Sequence, residues 1–223
     1  WILPEFECRP ADIDETPGPG EDPVLYCRRM SMEKALHFGN ELSDNTFVIG
    51  INGNFDQAQT GVKAMFNDAA LKDEMEKNGY QFSSANSINI GRLVPQIVYY
   101  ISAYCDMIEK GKIKAGEKIN IVVPTGNFGN ILASYYAKMM GLPVKKLICA
   151  SNSNNVLTDF IETGKYDRNR HFYTTVSPSM DILISSNLER LLWFVNGGEK
   201  TAEYMRDLAE KGVYSVDNGT MEQ

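Results

Sequence analysis

At 223 residues, with 43% hydrophobic and 23% charged residues, the chain has the composition of an ordinary soluble globular protein and can bury a substantial core. Its formal net charge of -7 argues against non-specific nucleic-acid binding, which relies on a basic surface. No apolar run approaches the ~20 residues that span a bilayer, and no basic segment followed by an apolar one opens the chain. Neither a membrane span nor a signal peptide is expected, and the cytoplasm is the expected compartment. The chain opens on Trp1, which reads as a processed chain or a piece of a longer one. Cys8, Cys27, Cys105 and Cys149 are irregularly spaced without a Cys-x-x-Cys pair, and His37 and His171 lie far apart. Neither a disulfide framework nor a metal site is expected.

Residues 1–45 carry little periodicity. Pro17-Gly18-Pro19-Gly20-Glu21-Asp22-Pro23 is a turn-rich connector. Residues 24–27 suggest a short strand, and residues 30–38 a helix ended by Gly39-Asn40. Residues 46–51 are β-branched and uncharged, as in a buried strand, and Asn52-Gly53-Asn54 turns the chain. A helix follows over 55–67, with Phe55, Ala58, Val62, Met65 and Phe66 on its apolar face, Asn54 as N-cap and Asp56 in the first turn. Residues 69–77 form a second helix, ended at Asn78-Gly79.

The polar stretch 80–89 precedes a long apolar helix reaching about residue 110, with Pro95 in its first turns and Leu93, Ile97, Tyr100, Ile101 and Tyr104 as core candidates. Residues 111–118 read as a solvated, lysine-rich turn. A strand at 119–123 leads through Pro124-Thr125-Gly126-Asn127-Phe128-Gly129-Asn130 into a helix at 131–141, and another strand follows at 144–150. The asparagine-rich 151–155 suits a loop at the carboxyl end of a parallel strand, where open α/β sheets bind ligands. Residues 156–163 read as helix, 164–170 as a charged turn and 171–176 as a short strand. Ser177-Pro178-Ser179 breaks the chain before a helix that starts at 181 or 185 and ends at 194. An amphipathic helix at 199–211 comes next, and 213–223 is a tail without clear pattern. The alternation from residue 46 onward points to βαβ units, hence an α/β fold with an open, mainly parallel sheet and helices on both faces. The expected organisation is an N-terminal segment 1–45, an α/β core 46–212 and the tail.

Two places suit an anion. At 125–130, Gly126 and Gly129 allow a tight turn and close approach to a ligand, and the helix that follows offers unpaired N–H groups and a positive dipole end. The competing reading is a plain turn with an asparagine N-cap. At the other place, Ser84, Asn86, Ser87 and Asn89 crowd a helix start, with Arg92 one turn on; hydroxyls, amides and a guanidinium all suit a phosphate. By spacing alone an N-capping loop with a surface arginine is the simpler account.

Thr125-Gly126-Asn127-Phe128-Gly129-Asn130 resembles the phosphate-cradling loop of threonine synthase, a pyridoxal-phosphate lyase of fold type II. The likeness extends through residues 136–143, 146–152, 155–160 and 177–190. Upstream it includes Gly53-Asn54-Phe55-Asp56 and Asn86-Ser87-Ile88-Asn89. It covers residues 46 to about 206 in one order and at family spacing. The resemblance implies a fold like the β subunit of tryptophan synthase. It also implies pyridoxal 5'-phosphate held by Thr125, Gly126, Asn127, Phe128, Gly129 and Asn130. Ser84, Asn86, Ser87, Asn89 and Arg92 would then face a phosphorylated amino-acid substrate. The implied reaction converts O-phosphohomoserine and water to threonine and phosphate, in a monomer or homodimer with no nucleic-acid or membrane partner.

The family's Schiff-base lysine follows a phenylalanine and precedes an aspartate, and no lysine here stands in that setting. Lys34, the only lysine of residues 1–45, lies in Met32-Glu33-Lys34-Ala35-Leu36. The serine- and glycine-rich loop over the cofactor ring and the region supplying the pyridine-nitrogen partner are also absent, so the isolated chain is expected not to turn over. Two other readings stand beside this one: another fold type II enzyme (a dehydratase or cysteine synthase), or a non-catalytic phosphate-binding α/β domain.

Overall fold

The computed structural model describes residues 55–84, 87 and 89–221, together with residues 14, 16–22, 25–26, 29–30 and 32–33. Two compact units divide the chain, at 1–54 and 55–223. The strand expected at 46–51, the turn 52–54 with its Asn54 cap, and the helix end at 34–40 lie outside the described residues. In the first unit residues 25–26 are helical, not the strand expected at 24–27; residues 30 and 32–33 are helical as expected, and residue 29 is helical too. Arg29 organises the described part: Nε and Nη2 donate to the Glu21 carboxylate at 2.9 and 2.8 Å, and the guanidinium sits 5.6 Å over the Tyr26 ring. The bonds from Arg29 and from the Gly18 amide pull the Glu21 carboxyl down to about 2.

The second unit begins with α1 (Phe55–Asn67) and α2 (Ala69–Lys77). Asp68 caps α2, its carboxylate accepting from the Leu71 amide at 3.0 Å. The inward side of α1 runs through Ala58, Gln59, Lys63 and Phe66, while the expected core residues Val62 and Met65 are exposed. Phe66, on the expected apolar face, packs against Phe82 with ring centroids 5.3 Å apart.

The long helix expected over 90–110 is built in three pieces: α3 (Ile90–Leu93), a 3-10 turn at Val94–Gln96, and α4 (Ile97–Glu109). Pro95 explains the tightened turn, since its missing N–H cannot bond back along an α-helix. Leu93 and Tyr104 are buried and Ile97 and Tyr100 pack on the core, but Ile101 faces solvent.

The centre of the unit is a βαβ element: β1 (Ile119–Pro124), α5 (Gly129–Met139) and β2 (Val144–Ala150), with β1 and β2 parallel. Alternation along β1 places Val123 in the core and Val122 on the outside. From α5, Ile131, Leu132, Ala133 and Ala137 are buried; Leu132 is fully enclosed.

After β2, α6 (Val156–Thr163) leads into β3 (Lys165–Asp167), which pairs antiparallel with β4 (Val213–Ser215). Between them lie α7 (Leu188–Asn196) and α8 (Gly198–Lys211), and α9 (Asn218–Met221) follows β4. Here the sequence reading is corrected. The charged turn 164–170 contains β3, residues 171–176 hold no strand, and the patternless stretch after residue 212 contains both β4 and α9. Three-residue strands are too short for a legible period; burial of one aromatic on each fixes them instead. Tyr166 and Tyr214, opposite one another in the pairing, stack at 5.3 Å with 4° between their planes, and Phe160 and Tyr204 complete the cluster.

Candidate functional site: an anion cradle between strand and helix

The loop between β1 and α5 lines a cavity of about 190 Å³, together with Ser87, Gln96 and Ser179. Its shape follows from where its carbonyls are anchored. The Ser185 hydroxyl donates to the Gly126 carbonyl. The Asn127 carbonyl accepts from both the backbone N–H and the side-chain amide of Asn187, at 3.0 and 2.9 Å. In a planar trans peptide the C=O and the next N–H point in opposite directions. Anchoring these two carbonyls in the protein therefore turns the amides of Asn127 and Phe128 toward the cavity. The amides of residues 126–130 donate to no acceptor among the described residues. They form a run of free donors at the positive end of an 11-residue helix.

Phe128 is the N-cap of α5, with φ of 63° and no side-chain cap bond, so the asparagine N-cap is not what forms. A left-handed phenylalanine is unusual and costs about 1–3 kcal/mol. Three anchoring hydrogen bonds at about 1 kcal/mol each, plus burial of its ring, offset that cost. A left-handed residue next to helical ones makes the concave amide arrangement that binds anions.

Neither Gly126 nor Gly129 has positive φ. Their need is space, and protein takes it rather than a ligand. A Cβ on Gly126 would lie 3.0 Å from the Ser179 carbonyl and 3.1 Å from Met180 Cα. One on Gly129 would lie 2.9 Å from Ser87 Oγ and 3.1 Å from Asn187 Nδ2.

Thr125 opens the loop: its amide donates to Ala150 O at 2.8 Å and its hydroxyl to Val123 O at 2.7 Å. Beneath it, burial raises the Cys149 thiol pKa, opposed by hydrogen bonds to Thr125 and Ser151. Asn130 closes the loop, its side-chain amide donating to Gln96 Oε1 at 3.1 Å and its carbonyl accepting from Tyr100 Oη at 3.1 Å. Desolvation pushes the Tyr100 phenol up to about 12, so it stays a neutral donor.

Of the second set of candidates, Ser87 alone among the described residues reaches this cavity. Its hydroxyl accepts from Asn187 Nδ2 at 2.9 Å and its carbonyl from Arg190 Nη1 at 2.7 Å. Asn89 uses its side chain as a cap, accepting from the Gly91 amide at 2.9 Å and donating to Ser84 O at 3.1 Å. Arg92 is exposed and does not line the cavity. Asn86 lies outside the described residues.

Ser185, Asn187 and Tyr166 carry the loop without having been picked out as site residues. Ser185-Ser186-Asn187 before a helix is the available signal, since such residues end loops and start helices. The asparagine-rich 151–155 serves the same neighbourhood. Asn152 and Asn154 donate to the buried Asp181 carboxylate at 2.7 and 3.2 Å, and the Thr175 amide to its other oxygen at 2.8 Å. That network holds the turn at Pro178–Met180, against which Gly126 packs.

No family model matches the chain. It is 46% identical over 195 residues to human threonine synthase-like 1, covering 86% of this chain and 26% of that protein. To yeast threonine synthase it is 38% identical over 190 residues, covering 80% of this chain and 35% of the relative. A solved structure of threonine synthase from Brucella melitensis with PLP bound superposes with a TM-score of 0.63 at 40% identity, over 78% of this chain and 35% of that one. Over about four-fifths of its length the chain is similar to threonine synthases in sequence and in fold. A further threonine synthase structure, from Escherichia coli, gives a TM-score of 0.57 at 33% identity over 79% of this chain. The chain spans roughly a quarter to a third of the curated threonine synthase relatives' length, 26% and 35% in these two cases. The expected fold type II α/β architecture holds.

Proposed function

We propose that this chain is the phosphate-cradling part of a pyridoxal-phosphate-dependent threonine synthase, a lyase that converts O-phosphohomoserine and water to threonine and phosphate. The observation that carries the proposal is the run of free amides at residues 126–130 on the wall of a cavity, with those of Asn127 and Phe128 set by anchored carbonyls. Such a concavity fits the phosphate of pyridoxal 5'-phosphate: several N–H donors and a helix dipole meet a dianion, and no carboxylate lines the cavity to oppose it. When bound, the cofactor supplies the electron sink for bond changes at the substrate's β and γ carbons.

This chain's own residues bind and orient. Thr125, Gly126, Asn127, Phe128, Gly129 and Asn130 would hold the cofactor phosphate, with Gln96 and Tyr100 fixing Asn130. Ser84, Asn86, Ser87, Asn89 and Arg92 are proposed for the substrate's phosphate, and Ser87, on the cavity wall, supports placing the two anions near one another. The relatives and solved structures above favour a threonine synthase over a dehydratase or a cysteine synthase. Among the described residues no helix is long and apolar enough to cross a membrane. A cytoplasmic location and a monomer or homodimer complete the proposal, the latter checked by size-exclusion chromatography.

None of the described residues lining the cavity is a lysine, which supports a chain that binds the phosphate group without completing the catalytic centre. The test is titration of the purified chain with pyridoxal 5'-phosphate, then borohydride reduction and peptide mapping, with inorganic phosphate as competitor. Saturable binding displaced by phosphate, scattered lysine labelling and no threonine formed from O-phosphohomoserine are expected. A single stoichiometric lysine, or threonine production, overturns the incomplete-centre reading. Absence of any phosphate-sensitive binding overturns the cradle.

A further inference from the structure

We infer that Asn187 is a positioning residue that holds the 125–130 loop in its anion-accepting shape and ties that loop to the Ser87 segment. The inference rests on reading the loop as a phosphate cradle. Asn187 is fully buried, and every polar group of its backbone N–H and side chain is engaged. Its N–H and Nδ2 both donate to the Asn127 carbonyl, Nδ2 also donates to Ser87 Oγ, and Oδ1 accepts from Arg190 Nη1. Arg190 in turn donates to the Ser87 carbonyl at 2.7 Å. One side chain thus binds two segments 60 and 100 residues away.

The two donors on one carbonyl give this arrangement its consequence. They fix the peptide plane between Asn127 and Phe128, and that plane sets both the outward direction of the Phe128 amide and the left-handed φ of Phe128. Without the side-chain donor, that peptide is free to turn over. The Phe128 amide then leaves the cavity and Phe128 relaxes to negative φ. Gly129 completes the device, because its missing Cβ leaves room for both Asn187 Nδ2 and Ser87.

The test has a conformational arm that needs no ligand and a binding arm. In the isotopically labelled chain, a positive φ at Phe128 gives a strong intraresidue amide–Hα cross-peak and a mid-range three-bond coupling. Asn187→Ala and Asn187→Asp, the latter keeping volume and the acceptor for Arg190, are compared with the parent chain. Far-ultraviolet circular dichroism reports whether each variant is folded. Expected is loss of the positive-φ signature in the folded variants, with at least a tenfold rise in the Kd for inorganic phosphate. Ser185→Ala, which releases the neighbouring carbonyl of Gly126, is expected to weaken phosphate binding too but to leave the Phe128 signature in place. A folded Asn187 variant that keeps the signature, or whose phosphate affinity falls less than threefold, overturns the inference. Loss of the signature in a parent chain that binds no phosphate keeps Asn187 as the residue that shapes the loop and overturns the cradle reading alone. If neither Asn187 variant folds, the residue is structural rather than positioning, and the inference fails.

Discussion

Tyr166 links the aromatic cluster to the candidate site: its ring stacks on Tyr214, and its hydroxyl donates to Leu183 O and accepts from the Ser185 amide, both at 2.9 Å. Ser185 then anchors the Gly126 carbonyl, so the β3–β4 pair reaches the 125–130 loop through two consecutive hydrogen bonds. Burial, and then the neighbouring tyrosines Tyr166 and Tyr204, raise the Tyr214 phenol pKa, so Tyr214 stays uncharged at neutral pH.

Tyr166→Phe keeps the stack and deletes the hydroxyl, leaving a buried carbonyl and amide without their partner. The expected cost is about 2 kcal/mol of stability. Phosphate binding should weaken several-fold, because Ser185 is no longer fixed. Urea denaturation and a phosphate titration read the two effects, and an unchanged phosphate Kd would separate Tyr166 from the loop.

Asp181 is 3% exposed and accepts from Asn152, Asn154 and Thr175. Asp181→Ala leaves those donors unpaired in the interior, with an expected loss of about 3 kcal/mol. For a unit of this size that corresponds to a fall in Tm of roughly 6–12 °C. A fall under 2 °C in differential scanning calorimetry would show that the network contributes little.

The βαβ centre was legible because its signals are local: a β-branched run, two glycines and an apolar helical period lie within 25 residues. The 125–130 loop was found for that reason. What fixes the loop was not legible, because Asn187 and Ser185 act across about 60 residues and nothing in their immediate neighbours encodes that contact. Arg92, proposed for the substrate's phosphate, does not line the cavity of the 125–130 loop. Its spacing from Ser87 and Asn89 fits a helical turn, but the turn it occupies points it to solvent. Likewise β3 and β4 are set by a tyrosine pair brought together by tertiary packing, against a local pattern that reads as turn and tail.

Acid should loosen the end of the second unit before its core. Asp217 accepts from Lys200 and from the Thr220 amide and hydroxyl, which together hold its carboxyl down at about 2. A folded pKa below the unfolded one means stability that is present above about pH 4 and is lost as pH falls toward 2. Asp217→Asn should flatten the part of the acid-unfolding profile that lies in that window, with little change at pH 7, since the pair is solvent-exposed. Amide exchange at α9 followed from pH 5 to pH 2 checks this; identical profiles for the two proteins would count against it.

Gly129→Ala sets helix propensity against space. In an exposed helix the change would gain about 1 kcal/mol. At the first position of α5, however, the new methyl lies 2.9 Å from both Ser87 Cβ and Oγ, closer than such contacts allow. Either Ser87 swings out, breaking its bond to Asn187, or α5 shifts away from the loop; overpacking of this kind costs about 1–3 kcal/mol. The expected result is net destabilisation of about 1 kcal/mol with at least a tenfold weaker phosphate Kd, because both outcomes misplace amides of the cradle. Gly126→Ala should be worse, since its nearest neighbours are the backbone of Ser179 and Met180, which cannot rotate away. Paired urea and phosphate titrations of the two variants decide it. If Gly129→Ala stabilises the chain and leaves phosphate affinity intact, then the close packing of Ser87 and Asn187 around this glycine is not what shapes the site.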